Sequence, residues 1–202
     1  MTSLDLPNGY YDLPKGKLAN VVTCLEMMKP VAQPVAAWPK GVQLSRVKSD
    51  DLANYRQIFR QVGQNLLWFS RLIMPDAALA AILANPNVES FVLEQDGKPI
   101  GLLELNFRES PSCELAFFGV VPEVIGGGFG KLLMAEAVTR AFARPIDRLW
   151  VHTCSHDHPR ALPFYMKAGF KPFKLMLEVH DDPRLSGHLP LEAAPQVPLL
   201  IA

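Results

Sequence analysis

The sequence predicts a single α/β domain built on a mixed sheet. Apolar runs typical of strands alternate with segments of helical periodicity. The turn Asp96-Gly97 separates two strand-like runs, which indicates a hairpin and therefore an antiparallel strand pair. A third run ends at Pro122, which cannot donate to a sheet ladder, and leads through glycines directly into a helix.

The elements follow one another in the order strand, two helices, hairpin, strand, helix, strand, helix, strand. The expected ranges of the strands and helices are 42–47, about 50–64, 75–85, 88–94 with 100–107, 113–121, 148–153, 159–169 and 170–180, and the helix after the glycines has its periodic apolar residues at 134–141. We divide the chain into an N-terminal arm (1–40), a central domain (41–180) and a proline-rich tail (181–202). Within the arm, Leu18 to Met28 is predicted to add a further strand to the sheet.

Composition excludes several classes of function. The 202 residues include 20 basic and 20 acidic side chains, so bulk charge does not predict a nucleic-acid or anionic-membrane partner. No apolar run reaches the roughly 18 residues of a membrane span, and the first residues, which lack a basic region and an apolar core, are not expected to be a signal peptide. The three cysteines are far apart in sequence and are expected to be reduced thiols in the cytoplasm.

Four glycines occupy five consecutive positions at the predicted start of the helix: Gly126, Gly127, Gly128 and, after Phe129, Gly130. Bare backbone N–H groups and the positive end of the helix dipole would meet there, which is typical of a pyrophosphate site. Ile125 and Leu132 stand where a Walker A loop needs Gly and Ser or Thr, and the glycine spacing does not give a dinucleotide fingerprint. The alternative is a glycine-rich turn without a ligand.

The segment Gly128-Phe129-Gly130 resembles the coenzyme A loop of the GNAT superfamily of N-acetyltransferases. That family's pattern begins with Arg or Gln, where this chain has Ile125, and Lys131 supplies a nearby cation. About 35 residues later, residues 164–170 match the family's Tyr-x-x-x-Gly-Phe signature. The resemblance covers residues 42–180. It implies a mostly antiparallel central sheet flanked by helices and acetyl-CoA as co-substrate.

The resemblance also implies roles for individual residues. A backbone N–H between Phe118 and Val121, with Val120 as the first candidate, would hold the acetyl carbonyl. Glu114 would be the general base, unless it lies in solvent or in an ion pair. Tyr165 would protonate the leaving thiolate, unless it is a core aromatic residue. His158 stands where many family members have an asparagine that binds pantetheine.

The sequence indicates the residues that would bind the acceptor substrate less clearly. The apolar segment from Trp68 to Met74 is either a packed helix end or a substrate wall, with Arg71 available to hold a carboxylate. His152 could assist the base, contact substrate, or lie in the core. His152, Cys154, His156 and His158 alternate, but they span a strand-to-helix turn, so no metal site is predicted. Asp157 or His158 is expected to cap the next helix.

These features together predict an N-acetyltransferase that passes the acetyl group of acetyl-CoA directly to a small-molecule amine in a ternary complex. A non-catalytic acyl-CoA-binding or regulatory module is the alternative. An exposed sheet edge or the terminal arms could form a homodimer.

Overall fold

The computed structural model describes residues 5–33 and 37–201. Residues 1–4, 34–36 and 202, which belong to the predicted arms, lie outside this part of the chain. The strands are β1 (Lys17–Met27), β2 (Val42–Arg46), β3 (Val88–Gln95), β4 (Lys98–Asn106), β5 (Ser112–Val120), β6 (Arg148–Cys154) and β7 (Lys171–Asp181). The α-helices are α1 (Leu52–Gly63), α2 (Ser70–Ile73), α3 (Asp76–Ala84), α4 (Phe129–Phe142) and α5 (Ala161–Lys167).

All seven strands form one sheet in the order β2-β3-β4-β5-β6-β1-β7. Every neighbouring pair is antiparallel except β5 and β6, which are parallel, so the predicted mixed α/β fold is confirmed. The β3–β4 hairpin turns at Asp96 and Gly97, both with positive φ, as an Asp-Gly turn requires. None of the helices in the described segments is both long and apolar enough to cross a membrane.

The N-terminal strand β1 does not lie at an edge of the sheet. It pairs antiparallel with β6 on one side and with β7 on the other, and so separates these two strands. Its side chains alternate between exposed and buried from Lys17 to Val22, as expected for a half-buried strand. The predicted arm therefore contributes a central strand to the half of the sheet that contains β6.

A buried ion pair stabilises the conformation of the tail that follows β7. Arg184 contacts the Asp182 carboxylate through Nε at 3.0 Å and Nη2 at 2.7 Å, and both side chains are almost completely buried. The Arg184 guanidinium also donates to the carbonyl oxygens of Ala193, Val197 and Pro198. Burial raises the pKa of Asp182, but the hydrogen bonds from Arg184 more than offset this effect, so the pKa lies below its usual value.

We expect Arg184→Ala to lower the free energy of unfolding by about 3–5 kcal/mol, because it leaves the Asp182 carboxylate buried without its cation. Denaturant unfolding followed by circular dichroism measures this loss. Lys17→Ala is the matched control: its ion pair with Asp181 is exposed and should contribute about 0–1 kcal/mol. Equal losses in the two variants would contradict the structural role assigned to Arg184.

Candidate active site

The candidate site lies where β5 and β6 separate. The two parallel strands are in register only from Ser112 to Glu114 on β5 and from Arg148 to Trp150 on β6. Both strands continue beyond these residues without further pairing to each other. The register of β5 with β4 shifts between Leu115 and Phe117, so Ala116 is an extra residue on β5 at the start of the separation. A wedge-shaped opening therefore begins immediately after Glu114.

The backbone of β5 directs unused amides into this opening. The Val121 N–H donates to the Ile100 carbonyl at 2.9 Å, on the β4 side. Since successive amides of an antiparallel strand point to opposite sides, the N–H groups of Val120 and Phe118 point away from β4, toward β6. The Val120 N–H therefore points into the opening, as the expectation that it holds an acyl carbonyl requires. The same expectation is wrong for Val121, because its amide is already bonded within the sheet.

The glycine loop forms the N-terminus of α4. Gly128 precedes the helix with φ 87°, and Gly126 has φ 96°, a conformation that costs an L-residue about 1–2 kcal/mol. Within the described part of the chain, four loop amides have no protein acceptor: those of residues 126, 128, 129 and 130. Gly127 differs, since its N–H donates to the Val124 carbonyl. The loop therefore offers several converging donors to an anion.

The residues flanking the loop differ in what they offer an anion. Ile125 presents an apolar, exposed side chain where the family pattern has Arg or Gln, and its N–H is bonded to the Pro122 carbonyl. Lys131 is exposed in the first turn of α4. The only side-chain cation of the loop segment 125–131 is therefore that of Lys131, and the remaining donors are main-chain amides.

Tyr165 lies in the hydrophobic core beside β5, and 6% of its surface is exposed. Its ring packs against Phe118 with ring centroids 6.0 Å apart and against Phe170 at the same distance. Burial raises the pKa of Tyr165 above its usual value, and the negative charge of Asp157 raises it further. The phenol is therefore protonated at neutral pH and can act only as a donor toward a negatively charged group.

His158 occupies the turn between β6 and α5. Its Nδ1 accepts a hydrogen bond from the Arg160 N–H at 3.1 Å. In the neutral ring this places the proton on Nε2, so the second ring nitrogen is a donor. α5 begins at Ala161 with Arg160 as its N-cap, so neither Asp157 nor His158 caps the helix as the sequence suggested.

Glu114 is the last β5 residue paired with β6, at the closed end of the opening. Its side chain is about one-fifth exposed; Oε1 lies 3.4 Å from Nδ1 of His152, and Oε2 accepts from Asn106 at 3.3 Å. The hydrogen bond to Glu114 raises the pKa of His152 above its usual value, against the opposing effect of burial. Glu114 is thus positioned by His152 and Asn106, and part of its side chain remains exposed.

Arg71 is not available to a substrate. Its Nη2 donates to Oε1 of Glu104, whose other oxygen accepts from the hydroxyls of Tyr55 at 2.7 Å and Ser90 at 2.9 Å. Arg71 is only 8% exposed, and its guanidinium lies over the Phe117 ring at 5.0 Å. The expectation that Arg71 binds a substrate carboxylate is therefore wrong. Glu104 has no exposed surface and requires the cation internally.

Trp68 links the two sides of the opening. Its indole packs on Phe59 and Phe117 beside β5, and its Nε1 donates to Oδ1 of Asp157 at 3.4 Å. The other Asp157 oxygen accepts from the Thr153 hydroxyl and the Cys154 amide, so it fixes the end of β6. Sequence reasoning missed this role for Asp157. The available signal was an aspartate three residues after a strand, which can bond back to backbone amides.

The structure indicates neither a metal site nor a nucleophilic cysteine among the described residues. No set of three or more His, Cys, Asp or Glu side chains in residues 5–33 and 37–201 is arranged to hold a metal ion. Burial raises the pKa of Cys113 to about 12 and that of Cys154 to about 11. Neither thiol is therefore present as a nucleophilic thiolate at neutral pH.

The Glu114→Gln variant should lower the pKa of His152, because the neutral amide no longer stabilises the imidazolium. NMR titration of the histidine ring protons measures this directly, with His156 as the internal control because Glu114 is not among the groups that shift its pKa. The raised pKa also means that the ion pair adds stability below pH about 6.5 and that this contribution is lost as pH rises through the pKa of folded His152. An unchanged His152 titration would contradict this coupling.

Comparison with known proteins agrees with this geometry. The family model described as "Acetyltransferase (GNAT) family" matches residues 55–170. A search of curated proteins found no match. Among solved structures, a GCN5-related N-acetyltransferase from Sphaerobacter thermophilus aligns with a TM-score of 0.62 at 12% identity, over 81% of this chain and 52% of that one.

Two further structures are similar over most of their own length. An aminoglycoside acetyltransferase from an uncultured soil metagenomic sample, in complex with trehalose, has a TM-score of 0.53 at 21% identity, over 64% of this chain and 88% of that one. An acetyltransferase from Thermus thermophilus has a TM-score of 0.51 at 19% identity, over 69% of this chain and 96% of that one. The Sphaerobacter thermophilus protein and two other similar structures are longer, and this chain spans 52%, 63% and 63% of their lengths. At sequence identities this low, the similar structures support only a shared fold. The family model, however, covers more than half of the chain, which therefore belongs to the GNAT acetyltransferase family.

Proposed function

We propose that this protein transfers an acetyl group from acetyl-CoA to the amine of a small molecule, by direct attack in a ternary complex. The observation that carries the proposal is the separation of β5 from β6 after Glu114, which leaves the Val120 amide pointing into a wedge between the glycine loop, Tyr165 and a carboxylate. Each of these groups matches one requirement of acyl transfer from a thioester.

Binding of the carrier would use main-chain donors. The amides of Gly126, Gly128, Phe129 and Gly130 would hold the pyrophosphate, with Lys131 as a nearby cation. The Nε2 donor of His158 would bind an oxygen of the pantetheine arm as it enters the wedge. The Val120 N–H would then polarise the thioester carbonyl and stabilise the oxyanion that forms during attack.

Proton transfers would complete the reaction. The amine nitrogen attacks the carbonyl carbon, and its proton passes to Glu114, directly or through water. The carbon–sulfur bond breaks, and the Tyr165 hydroxyl donates to the departing sulfur. Solvent then carries a proton from the Glu114 carboxyl group back to the Tyr165 phenolate, so both residues return to their starting states, and the products are the amide and the free thiol. Because the Cys113 and Cys154 thiols are protonated, we propose direct transfer without an acyl-enzyme.

The acceptor side favours an amine that carries positive charge. The carboxylates of Glu114, Asp157 and Glu178 all act on His152, whereas the positive charge of Arg71 is neutralised by Glu104. Trp68 and Phe117 supply an aromatic wall beside them. Aminoglycosides, the class named for one structural neighbour, are polycationic amines and belong in the first screen together with diamines and aromatic amines.

Glu114→Gln and Tyr165→Phe should reduce turnover without removing coenzyme A binding. We expect a fall in kcat of about 10²–10⁴-fold for each, the range typical of general acid–base groups. Thiol release from acetyl-CoA measures turnover over an amine screen, and calorimetry measures coenzyme A binding. If the wild type binds coenzyme A but acetylates no amine tested, the alternative of a non-catalytic acyl-CoA-binding module is favoured.

Gly128→Ala should weaken coenzyme A binding by at least about tenfold, because Ala at positive φ is strained by about 1–2 kcal/mol and its Cβ would project toward the anion. Gly97→Ala, in the β3–β4 hairpin, is the matched control. Gly97 also has a positive φ, 75°, and a Cβ there would meet nothing within 4 Å, so this variant carries similar strain outside the glycine loop. Calorimetry with coenzyme A compares the two variants; equal affinities would contradict the assigned loop.

A further inference from the structure

The Trp68 side chain spans one face of the opening between β5 and β6. A Cβ at Gly119 would lie 3.7 Å from Cη2 of Trp68, and the ring centroids of Trp68 and Phe117 are 5.4 Å apart. At the other end of the indole, Nε1 donates to Asp157 in the loop after β6. The indole therefore reaches from van der Waals contact with β5 to a hydrogen bond beyond the end of β6.

The groups assigned to the carrier lie on the opposite face of the sheet. Successive residues of a strand point to opposite faces, so Phe118 faces away from Gly119. The Phe118 ring packs on Phe164 of α5 at 5.8 Å, and a Cβ at Gly130 in the glycine loop would meet Phe164 at 3.9 Å. The face that bears α5 and the glycine loop is the carrier face, and the face that bears Trp68 is the acceptor face.

Glu114 also lies on the acceptor face. Cross-strand neighbours in an antiparallel pair share a face, and Phe117, which contacts Trp68, pairs with Glu104 on β4. Glu114 pairs with Asn106, which is two residues further along β4 and therefore on the same face as Glu104. An amine that gives its proton to Glu114 must approach from the face that Trp68 spans.

The indole covers the part of β5 that separates the two groups assigned to the reaction. Trp68 contacts β5 at Phe117 and Gly119. Glu114 precedes this stretch of the strand, and the Val120 amide follows it. Under the proposed function the attacking nitrogen has to come within reach of both groups. It must therefore pass the edge of the indole, where a second substituent on the nitrogen, or a branch on the adjoining carbon, would collide with the ring.

Contacts with the tail hold the segment that carries Trp68. The preceding residue, Leu67, has φ 58°, a left-handed conformation that favours glycine, and its side chain is buried in the same hydrophobic cluster as Ala194. The Asn65 side chain accepts a hydrogen bond from the Ala194 N–H, and the Asn65 carbonyl accepts one from Gln196 at 2.7 Å. The indole is thus supported from the side opposite the opening.

We propose that Trp68 determines acceptor specificity by restricting the reacting group to a primary amine on an unbranched carbon. This inference rests on the proposed function and adds the class of amine to it. Asp157 is a positioning residue in this scheme, because it acts on the acceptor only through the hydrogen bond that it accepts from the indole.

Kinetics with the best primary amine of the acceptor screen and with its N-methyl derivative, such as benzylamine and N-methylbenzylamine, test the proposal. Trp68→Ala should raise the kcat/KM of the N-methyl amine relative to that of the primary amine by about tenfold or more, the scale on which a site discriminates one small apolar group. Trp68→Leu, which keeps an apolar side chain but has no donor for Asp157, should shift this ratio in the same direction. Phe69→Ala is the matched control, because Phe69 is the next residue and packs on His180 of β7.

Calorimetry with coenzyme A shows that the variants are folded. Both Trp68 variants should bind it as the wild type does, because the indole lies on the face opposite the carrier, and loss of binding in both would contradict this placement. A wild type that acetylates no amine would overturn the proposed function and this inference with it. If the wild type is active, an unchanged ratio in both Trp68 variants, or an equal shift in Phe69→Ala, would overturn this inference alone.

Discussion

The separation of β5 from β6 after Glu114 is the constraint on which the other features of the site depend. Backbone N–H groups inside a protein need acceptors, and the amides of Phe118 and Val120 lose theirs when β6 diverges. A narrow ligand that carries its own carbonyl groups can satisfy them. Under the proposed function the pantetheine arm and the thioester supply these carbonyls, so strand pairing and substrate binding are alternative uses of the same edge.

The separation also divides the sheet into two groups of strands. Strands β2–β5 form one part and β6-β1-β7 the other, and they share only a three-residue register. Other contacts cross between the parts. Trp68 bonds Asp157, Phe69 packs on His180 at 5.3 Å, and Asn65 accepts from the Ala194 amide in the tail. The segment between α1 and α2 thus contacts β7 and the tail, which stabilises the opening without closing it.

The sequence was sufficient for the order of the elements and for the glycine loop, because both depend on local patterns. Hydrophobic periodicity located the strands, and Asp96-Gly97 located the hairpin. It was not sufficient for partners that lie far apart in the chain. Arg71 and Glu104 are 33 residues apart, and no local pattern shows that one neutralises the other. The position of β1 between β6 and β7 likewise depends on pairing over more than 120 residues.

The contrast between Arg71 and Glu114 shows how burial decides the use of a charged side chain. Arg71 and Glu104 are both buried, so each neutralises the charge of the other and neither is available to bind a ligand. Glu114 is paired with a histidine that can lose its proton. While His152 is charged, the pair stabilises the fold and the Glu114 carboxylate is engaged. As pH rises through the pKa of His152, that contribution to stability is lost. Under the proposed function, the Glu114 carboxylate is then free to accept the proton of an amine, which must itself be neutral to attack.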